Sequence, residues 1–442
     1  MLKKRTSSND KALNFISLFL ILIFESKITF IIIIIMRIFL ILFFLASFIS
    51  CSNKGIEQST IKADVTFLAD DQLEGRQTGT QGEIKAAAYI ADRFKKLGLT
   101  EKGTDGFYQE FSFVPKTDPH SEVEFTKNKD GTITGRNVVG FINNNAINTI
   151  VIGAHFDHLG YGGDGSLYRD SVKAIHNGAD DNASGTAVML DLARKLKDKN
   201  IQNNYIFIAF SGEEMGLLGS NYFVKNPTIN TKAVSYMINM DMVGRLKQDS
   251  ALAVYGTGTS PMFKQVLKAH NSKFKLIENE SGVGPSDHTS FYLADIPVLH
   301  FFTGQHEDYH KPGDDSEKLN YQGMATISDY IFNIISDLDD NGKLAFRKTK
   351  NERESTPRFK VGLGVIPDYL FDGKGMRIDG VSEGRPAQRG GLLKGDIVIQ
   401  LGDSLVTNMM SYMRALSVFD EGDTTTVVVQ RGKQEITTSL EF

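Results

Sequence analysis

His155 and Asp157 stand two residues apart at the end of a β-branched and apolar run, residues 149–154, that reads as a short buried strand. On a strand that spacing sends both side chains to one side. Three later segments also deliver acids: Asn177-Gly-Ala-Asp180-Asp181, Ile206-Phe-Ile-Ala-Phe210-Ser-Gly-Glu213-Glu214 and Met237-Ile-Asn-Met-Asp241. Asp308-Tyr309-His310 closes the set. Imidazoles and carboxylates gathered at one sheet edge would make a metal site of nitrogen and oxygen donors. His155, Asp181, Glu214, Asp241 and His310 offer two donors to each of two ions and one shared carboxylate, with room for a hydroxide between the ions. Glu213 and Glu214 are neighbours in a turn, so their side chains diverge; one can bind metal while the other serves as general base. Asp157 is positioned to accept from His155 and fix its tautomer.

Each fragment alone has a plainer reading. Asp180-Asp181 before a helix can be an acidic N-cap, and Glu-Glu in a turn a solvated pair. Their occurrence in order, each at a strand end, is what favours a metal centre. His158, His176, His300 and His306 are further candidate ligands for which a structural role is the simpler reading, and His120 and His270 read as surface positions.

The elements that must position these groups alternate in type. Helices are expected over 61–73 and 82–97, joined by a Gly-rich loop, then strands over 107–114, 121–126 and 135–142. After the strand at 149–154 comes a long Gly-rich loop, 159–176, of the kind that carries function. Helices at 184–196, 215–224, 261–270 and 322–338 interleave with strands at 205–210, 233–241 and 296–302. The pattern predicts an α/β fold with a mainly parallel mixed sheet flanked by helices. Ligands of such sheets gather at the carboxyl ends of the strands, where the acids lie. The charged stretch 341–357 reads as a linker, and 358–442 as a separate, small β-rich domain with one helix.

The 442 residues carry a net charge of −4, which argues against nucleic acid as a partner. The single cysteine, Cys51, excludes an intrachain disulfide and a thiolate-based zinc site. Residues 11–50 are strongly apolar but broken by Glu25 and Lys27 and by Arg37. The second half, Met36-Arg37 followed by the apolar run 38–46 and then Ser50-Cys51, reads as an export signal, with translation starting at Met36. It resembles a bacterial lipoprotein signal, which implies lipidation of Cys51, a polar tether over 52–60 and a lipid-anchored protein of the cell envelope. A long two-part anchor is the alternative.

Seven stretches together resemble the zinc aminopeptidases of metallopeptidase family twenty-eight, across residues 61–340. They are Leu73-Glu-Gly-Arg-Gln-Thr-Gly79, Gly153-Ala-His155-Phe-Asp157-His158, Gly178-Ala-Asp-Asp181-Asn-Ala-Ser-Gly185, Ser211-Gly-Glu213-Glu214-Met-Gly216, Asn239-Met-Asp241-Met-Val243-Gly244, Ser286-Asp287-His288 and Tyr309-His310. The resemblance implies a zinc exopeptidase-like fold and two Zn2+ per chain. One ion would be held by His155 and Asp241 and the other by Glu214 and His310, with Asp181 between them. It gives Glu213 the general-base role in releasing the first residue from peptides with a free N-terminus. Tyr309 becomes an oxyanion donor, with a packed aromatic as its alternative. Asp287 and His288 become either substrate-binding or structural residues.

Three other functions stay open. A glutaminyl cyclase shares the fold but relies on tryptophans, and this chain has none. A carboxypeptidase needs cations for the substrate's carboxylate, for which Arg76 and Arg245 are the nearest candidates. A non-catalytic peptide-binding protein would have lost ligands.

Residues 358–442 resemble a PDZ domain, through Lys360-Val-Gly362-Leu363-Gly364-Val365 and Gly390-Gly-Leu-Leu-Lys-Gly395-Asp396. The resemblance makes Gly362, Leu363, Gly364 and Val365 a carboxylate loop for a peptide C-terminus. A module that only packs on its neighbour is the alternative.

Overall fold

The computed structural model describes residues 58–115, 124–126, 130–163, 165–197, 199, 202–349, 361–371, 373–382 and 384–442. The predicted signal, Cys51, most of the tether and residues 121–123 of a predicted strand lie outside that range. The last three tether positions, 58–60, already belong to a helix, α1, spanning 58–68. Among the described residues no helix is long and apolar enough to cross a membrane.

One nine-stranded sheet forms the frame of the first domain. Its strands are β1 (Thr100–Glu101), β2 (Tyr108–Phe113), β3 (Ile133–Ile142), β4 (Thr149–His155), β5 (Asn204–Phe210), β6 (Val234–Met240), β7 (Ala251–Tyr255), β8 (Lys275–Asn279) and β9 (Val298–Phe302). They run in the order β1-β3-β5-β4-β6-β9-β7-β8, with β2 beside β3. Parallel pairing is confined to the central β5-β4-β6-β9 block and to β7 with β8. The flanks pair antiparallel, so the sheet is mixed, and the expected parallel character belongs to its centre. Strands β7 and β8 were not anticipated: the first is a five-residue apolar run and the second is charged, with no strong period in either.

Every residue of β4, β5 and β6 is buried, the mark of strands covered on both faces. Alternation divides them between two cores. Ile150, Ile152, Tyr205, Phe207, Tyr236 and Ile238 enter one, which α2 (Gln81–Lys96), α3 (Gly185–Leu196) and α7 (Tyr321–Asp337) cover. Val151, Ile206, Ile208, Phe210 and Met237 enter the other, under α4 (Leu218–Lys225) and α6 (His288–Tyr292). Burial near 25 cal/mol per Å² of apolar surface makes this two-sided core the main stabilising element. Helix α5 (Phe263–His270) completes the layer beside α7.

Residues 341–349, expected to be linker, are anchored instead. Leu344 is buried, the Arg347 N–H donates to the Thr259 carbonyl, and Thr349 donates to the Tyr292 hydroxyl. Beyond them stands a second sheet, β10 (Val365–Pro367), β11 (Met376–Val381), β12 (Ile397–Leu401), β13 (Ser404–Leu405), β14 (Thr424–Arg431) and β15 (Gln434–Glu441). Its order is β10-β11-β12-β14-β15, with β13 on β12. Helices α8 (Pro386–Arg389) and α9 (Met409–Leu416) close its own core around Val398, Val427 and Leu416. This domain rests on the first. Leu370 packs with Ala251 and Ala253, and Lys247 Nζ lies 2.9 Å from Asp379 Oδ2.

Candidate metal centre

The carboxyl ends of β4, β5 and β6 converge. His155 ends β4, Glu213 and Glu214 follow β5, and Asp241 follows β6. Asp181 arrives on the turn that leads into α3, and His310 on the segment after β9. That turn starts at Gly178, whose φ of 53° is left-handed and whose Cα lies so close to the Asp181 carbonyl and the His158 ring that a Cβ would collide with both. His310 also holds a left-handed φ, 54°, uncommon outside glycine and typical of strained functional positions.

Asp181 is the hinge of the cluster. Its Oδ1 lies 3.3 Å from His155 Nε2, and its Oδ2 lies 3.1 Å from His310 Nε2. His155 Nε2 is also 3.4 Å from Asp241 Oδ1, and His310 Nε2 is 3.3 Å from Glu214 Oε2. Donors around a tetrahedral zinc with bonds of about 2.0–2.1 Å stand about 3.3 Å apart, so these spacings fit an ion on each side of Asp181. The buried His155 Nε2 and Asp241 Oδ1 have no hydrogen-bond partner, which a cation would supply. Buried acids outnumber the imidazoles they face, and burying such charge without a counter-ion is costly.

Burial pushes the Asp181 carboxyl up, but the adjacent His155 and His310 imidazoles overcome it and hold it well below the usual range. Burial likewise opposes ionisation of Glu214, yet His310 and His158 bring it down to about 2. For Glu213 the balance reverses: burial, helped by Glu214 and Asp241 against His155, raises it well above an ordinary glutamate. Two adjacent acids are thus driven apart, the pattern of one ligand and one proton carrier. Glu213 Oε2 lies 3.9 Å from His155 Nε2, at the edge of the cluster.

Several supporting contacts differ from expectation. His155 Nδ1 faces the Asp157 backbone carbonyl at 3.2 Å, while the carboxylate lies 3.6 Å away. The Asp157 carboxylate instead accepts from the N–H groups of Glu213 (3.1 Å) and Glu214 (3.4 Å) and from the Thr78 hydroxyl. It therefore fixes the turn that carries both glutamates. His158 joins the cluster, its Nδ1 2.7 Å from Glu214 Oε1. Because Oε2 is the oxygen that faces His310, and His158 stands 4.0 Å from Asp181 Oδ2, His158 fits the role of orienting Glu214 better than that of ligand. Asp314, unremarked in the sequence, accepts from the N–H groups of Asp180 and Asp181 with one oxygen (2.9 and 3.0 Å) and so holds the hinge turn. An acid four residues past His310 was the only signal for it.

His176, His300 and His306 have other partners: Ser166, Asn239 and Asp180. Asp287 and His288 are fully buried beneath the site, and neither lines its cavity. Of the two expected roles this placement fits the structural one, and burial raises Asp287 to about 7.

The cavity, about 180 Å³, is lined by Asp181, Glu213, Glu214, Asp241, Tyr309 and His310, with Tyr255, Phe302 and Tyr369 among its aromatic walls. Burial, then the nearby Asp181 and Glu214 carboxylates, keep the Tyr309 phenol protonated and thus a donor. No lysine or arginine is among the described lining residues. Arg76 is wholly buried and donates to the carbonyls of Leu68, Phe156, Asn177 and Gly178, and Arg245 is paired with Asp308.

Residues 137–335 match the sequence profile of Peptidase family M28, and residues 344–442 that of the PDZ domain. A probable leucine aminopeptidase of Trichophyton verrucosum is 33% identical over 172 residues, 36% of this chain and 44% of that protein. The aminopeptidase YwaD of Bacillus subtilis is 32% identical over 177 residues, 38% of each chain. The chain thus spans less than half the length of these relatives. Among solved structures, a Zn-dependent exopeptidase from Parabacteroides distasonis superposes with a TM-score of 0.52 at 18% identity, over 63% of this chain and 98% of the other. A glutaminyl cyclase from Porphyromonas gingivalis gives 0.51 at 17%, with the same coverages. The fold is that of these zinc exopeptidase-like structures, and the chain carries one segment similar to Peptidase family M28 followed by one similar to the PDZ domain.

Proposed function

We propose that the protein is a di-zinc aminopeptidase that releases the first residue of peptides with a free α-amine. The observation that carries this reading is the cavity itself, which sets Glu213 and Tyr309 beside a donor set centred on Asp181, with no lysine or arginine among the described lining residues. The described lining holds no lysine or arginine that could grip a substrate's terminal carboxylate, which argues against a carboxypeptidase. The two arginines that could have gripped a carboxylate are spent elsewhere. The named relatives, both aminopeptidases by description, support the same reading.

His155 and Asp241 would hold one ion, His310 and Glu214 the other, and Asp181 both. Zinc bound there supplies Lewis acidity towards a carbonyl oxygen and acidifies water to a pKa of about 7. Glu213, its pKa raised by burial, takes a proton from the attacking water and returns it to the leaving amine. The Tyr309 phenol donates to the oxygen on which charge develops. Asp157 and Asp314 keep the two acid-bearing turns in register through backbone N–H groups. Export as a lipoprotein anchored through Cys51 is part of the same proposal, supported by the apolar run before the sole cysteine. Intact mass of the mature protein tests it.

Peptides that differ only in their N-termini test the activity. Free-amine peptides are expected to lose their first residue, while N-acetylated ones survive. Release of a C-terminal residue, or conversion of N-terminal glutamine to its cyclic form without peptide cleavage, would overturn the assignment.

A further inference from the structure

The wall of the catalytic cavity is not built by the peptidase domain alone. Tyr369, two residues past β10 in the C-terminal domain, lines it, and its ring meets Phe302 edge-on with centroids 6.2 Å apart. Next to it Leu370 is buried against Ala251 and Ala253 and approaches Gly304 closely. The segment is therefore held by packing on both sides of the tyrosine.

A second cavity, about 320 Å³, adjoins the first and shares Tyr255, Pro285 and Tyr369 with it. One side comes from the peptidase domain. The other comes from the C-terminal domain, through Met376 and through Met409, Met410 and Met413 of α9. Methionine surfaces adapt to varied apolar side chains, as a peptide-binding cleft requires. Val365, Met409 and Met413 are partly buried on the same core, so the apolar floor continues along the gap between β10 and α9.

Strand β10 is an edge. Among the described residues it pairs only with β11, leaving its other side to accept a strand. The loop Gly362-Leu363-Gly364 precedes β10, and Tyr369 follows it. A peptide whose C-terminal carboxylate sits on that loop and whose chain lies along β10 must run antiparallel to it. Its N-terminus then points at Tyr369 and at the catalytic cavity beyond.

We propose that the two domains hold one peptide between them, its carboxylate on the 362–364 loop, its chain on the edge of β10, and its free amine in the acid-lined cavity past Tyr369. The idea rests on the aminopeptidase reading for what happens at the amine. It makes the C-terminal domain part of the substrate site, and makes the enzyme select peptides by length. The five residue steps from Gly364 to Tyr369 span at most about 17 Å at ~3.3 Å each, so roughly six to nine residues bridge both ends.

Binding to the zinc-loaded full chain carrying Glu213→Gln separates this proposal from catalysis. The probes are synthetic peptides of two to twelve residues with one shared N-terminal dipeptide, each also made as C-terminal amide and as N-acetyl form. The expected result is one-to-one binding that tightens at least tenfold between dipeptide and heptapeptide. At seven residues, amidation or acetylation each removes that gain, and Tyr369→Ala weakens it. Affinity that is flat with length, or indifferent to amidation, overturns the proposal. So does a length gain that survives acetylation, because the loop would then hold a peptide that never reaches the cavity. If the pattern holds but the parent protein hydrolyses none of the peptides, the clamp stands and the aminopeptidase reading falls.

Discussion

At the carboxyl ends of β4, β5 and β6 recognition resides in side chains: two histidines and four acids, with the turns of Asp181 and of the Glu213-Glu214 pair held at their backbone by Asp314 and Asp157. In the C-terminal domain it resides in backbone, in an edge strand and a loop of glycines, with methionines as a compliant floor. The first region gains specificity from rigid charge placement in a buried site. The second, in the proposed clamp, would accept many sequences because peptide groups are common to all of them. Between them Tyr369 and Leu370 make the joint. The contrast implies that changes in the first region should alter chemistry, whereas changes at the joint should alter stability and substrate choice.

The largest expected effect is from Asp181→Ala, which removes the shared donor; bound zinc, read by metal analysis, should fall together with activity. Retention of both ions would break the contrast at its root. Glu213→Gln should keep its metal and lose about 10²–10⁴-fold in kcat, the usual contribution of a general base. Because burial raises the Glu213 pKa, it takes up a proton at higher pH than an ordinary glutamate, near 4.3. Activity needs the deprotonated form. The acid limb of kcat/KM should therefore fall at a pH above that range and vanish in the variant's residual activity. Tyr309→Phe should cost about 2.7–4 kcal/mol in kcat while leaving KM for short substrates little changed.

At the joint the expected effects are smaller and of another kind. Leu370→Ala opens a cavity under a buried leucine and should lower unfolding free energy by about 2–5 kcal/mol, with little change in turnover of an amino-acyl anilide. Lys247→Ala removes a partly exposed ion pair with Asp379 and should cost at most about 1 kcal/mol. A Leu370→Ala protein of parental stability would mean that the domains are only loosely apposed.

Sequence reading located His155, the Glu213-Glu214 pair and Asp241 because they close hydrophobic runs, and burial on both faces makes such runs hard to mistake. The hold of Asp157 on the Glu213-Glu214 turn, beside its contact with His155, could not be read because spacing reports direction, not which backbone N–H a carboxylate will meet. Asp314 escaped for the same reason, and His158 was singled out without its partner Glu214: both meet groups distant in sequence. Glu83 is similar, reaching from α2 to the Ser211 hydroxyl after β5. The stretch 341–349 read as linker through its charge, yet Leu344 and Phe346 supply the apolar contacts that pin it. Tyr369 could not be found at all, since nothing in a β-rich domain's own pattern tells which loop another domain will cover.

The most direct test is anomalous diffraction at the zinc edge from crystals of the zinc-loaded protein. Two peaks are expected about 3.5–4 Å apart, one touching His155 and Asp241, the other His310 and Glu214, with Asp181 between them. Zinc found away from Asp181, or held by His158 in place of His310, would contradict the account.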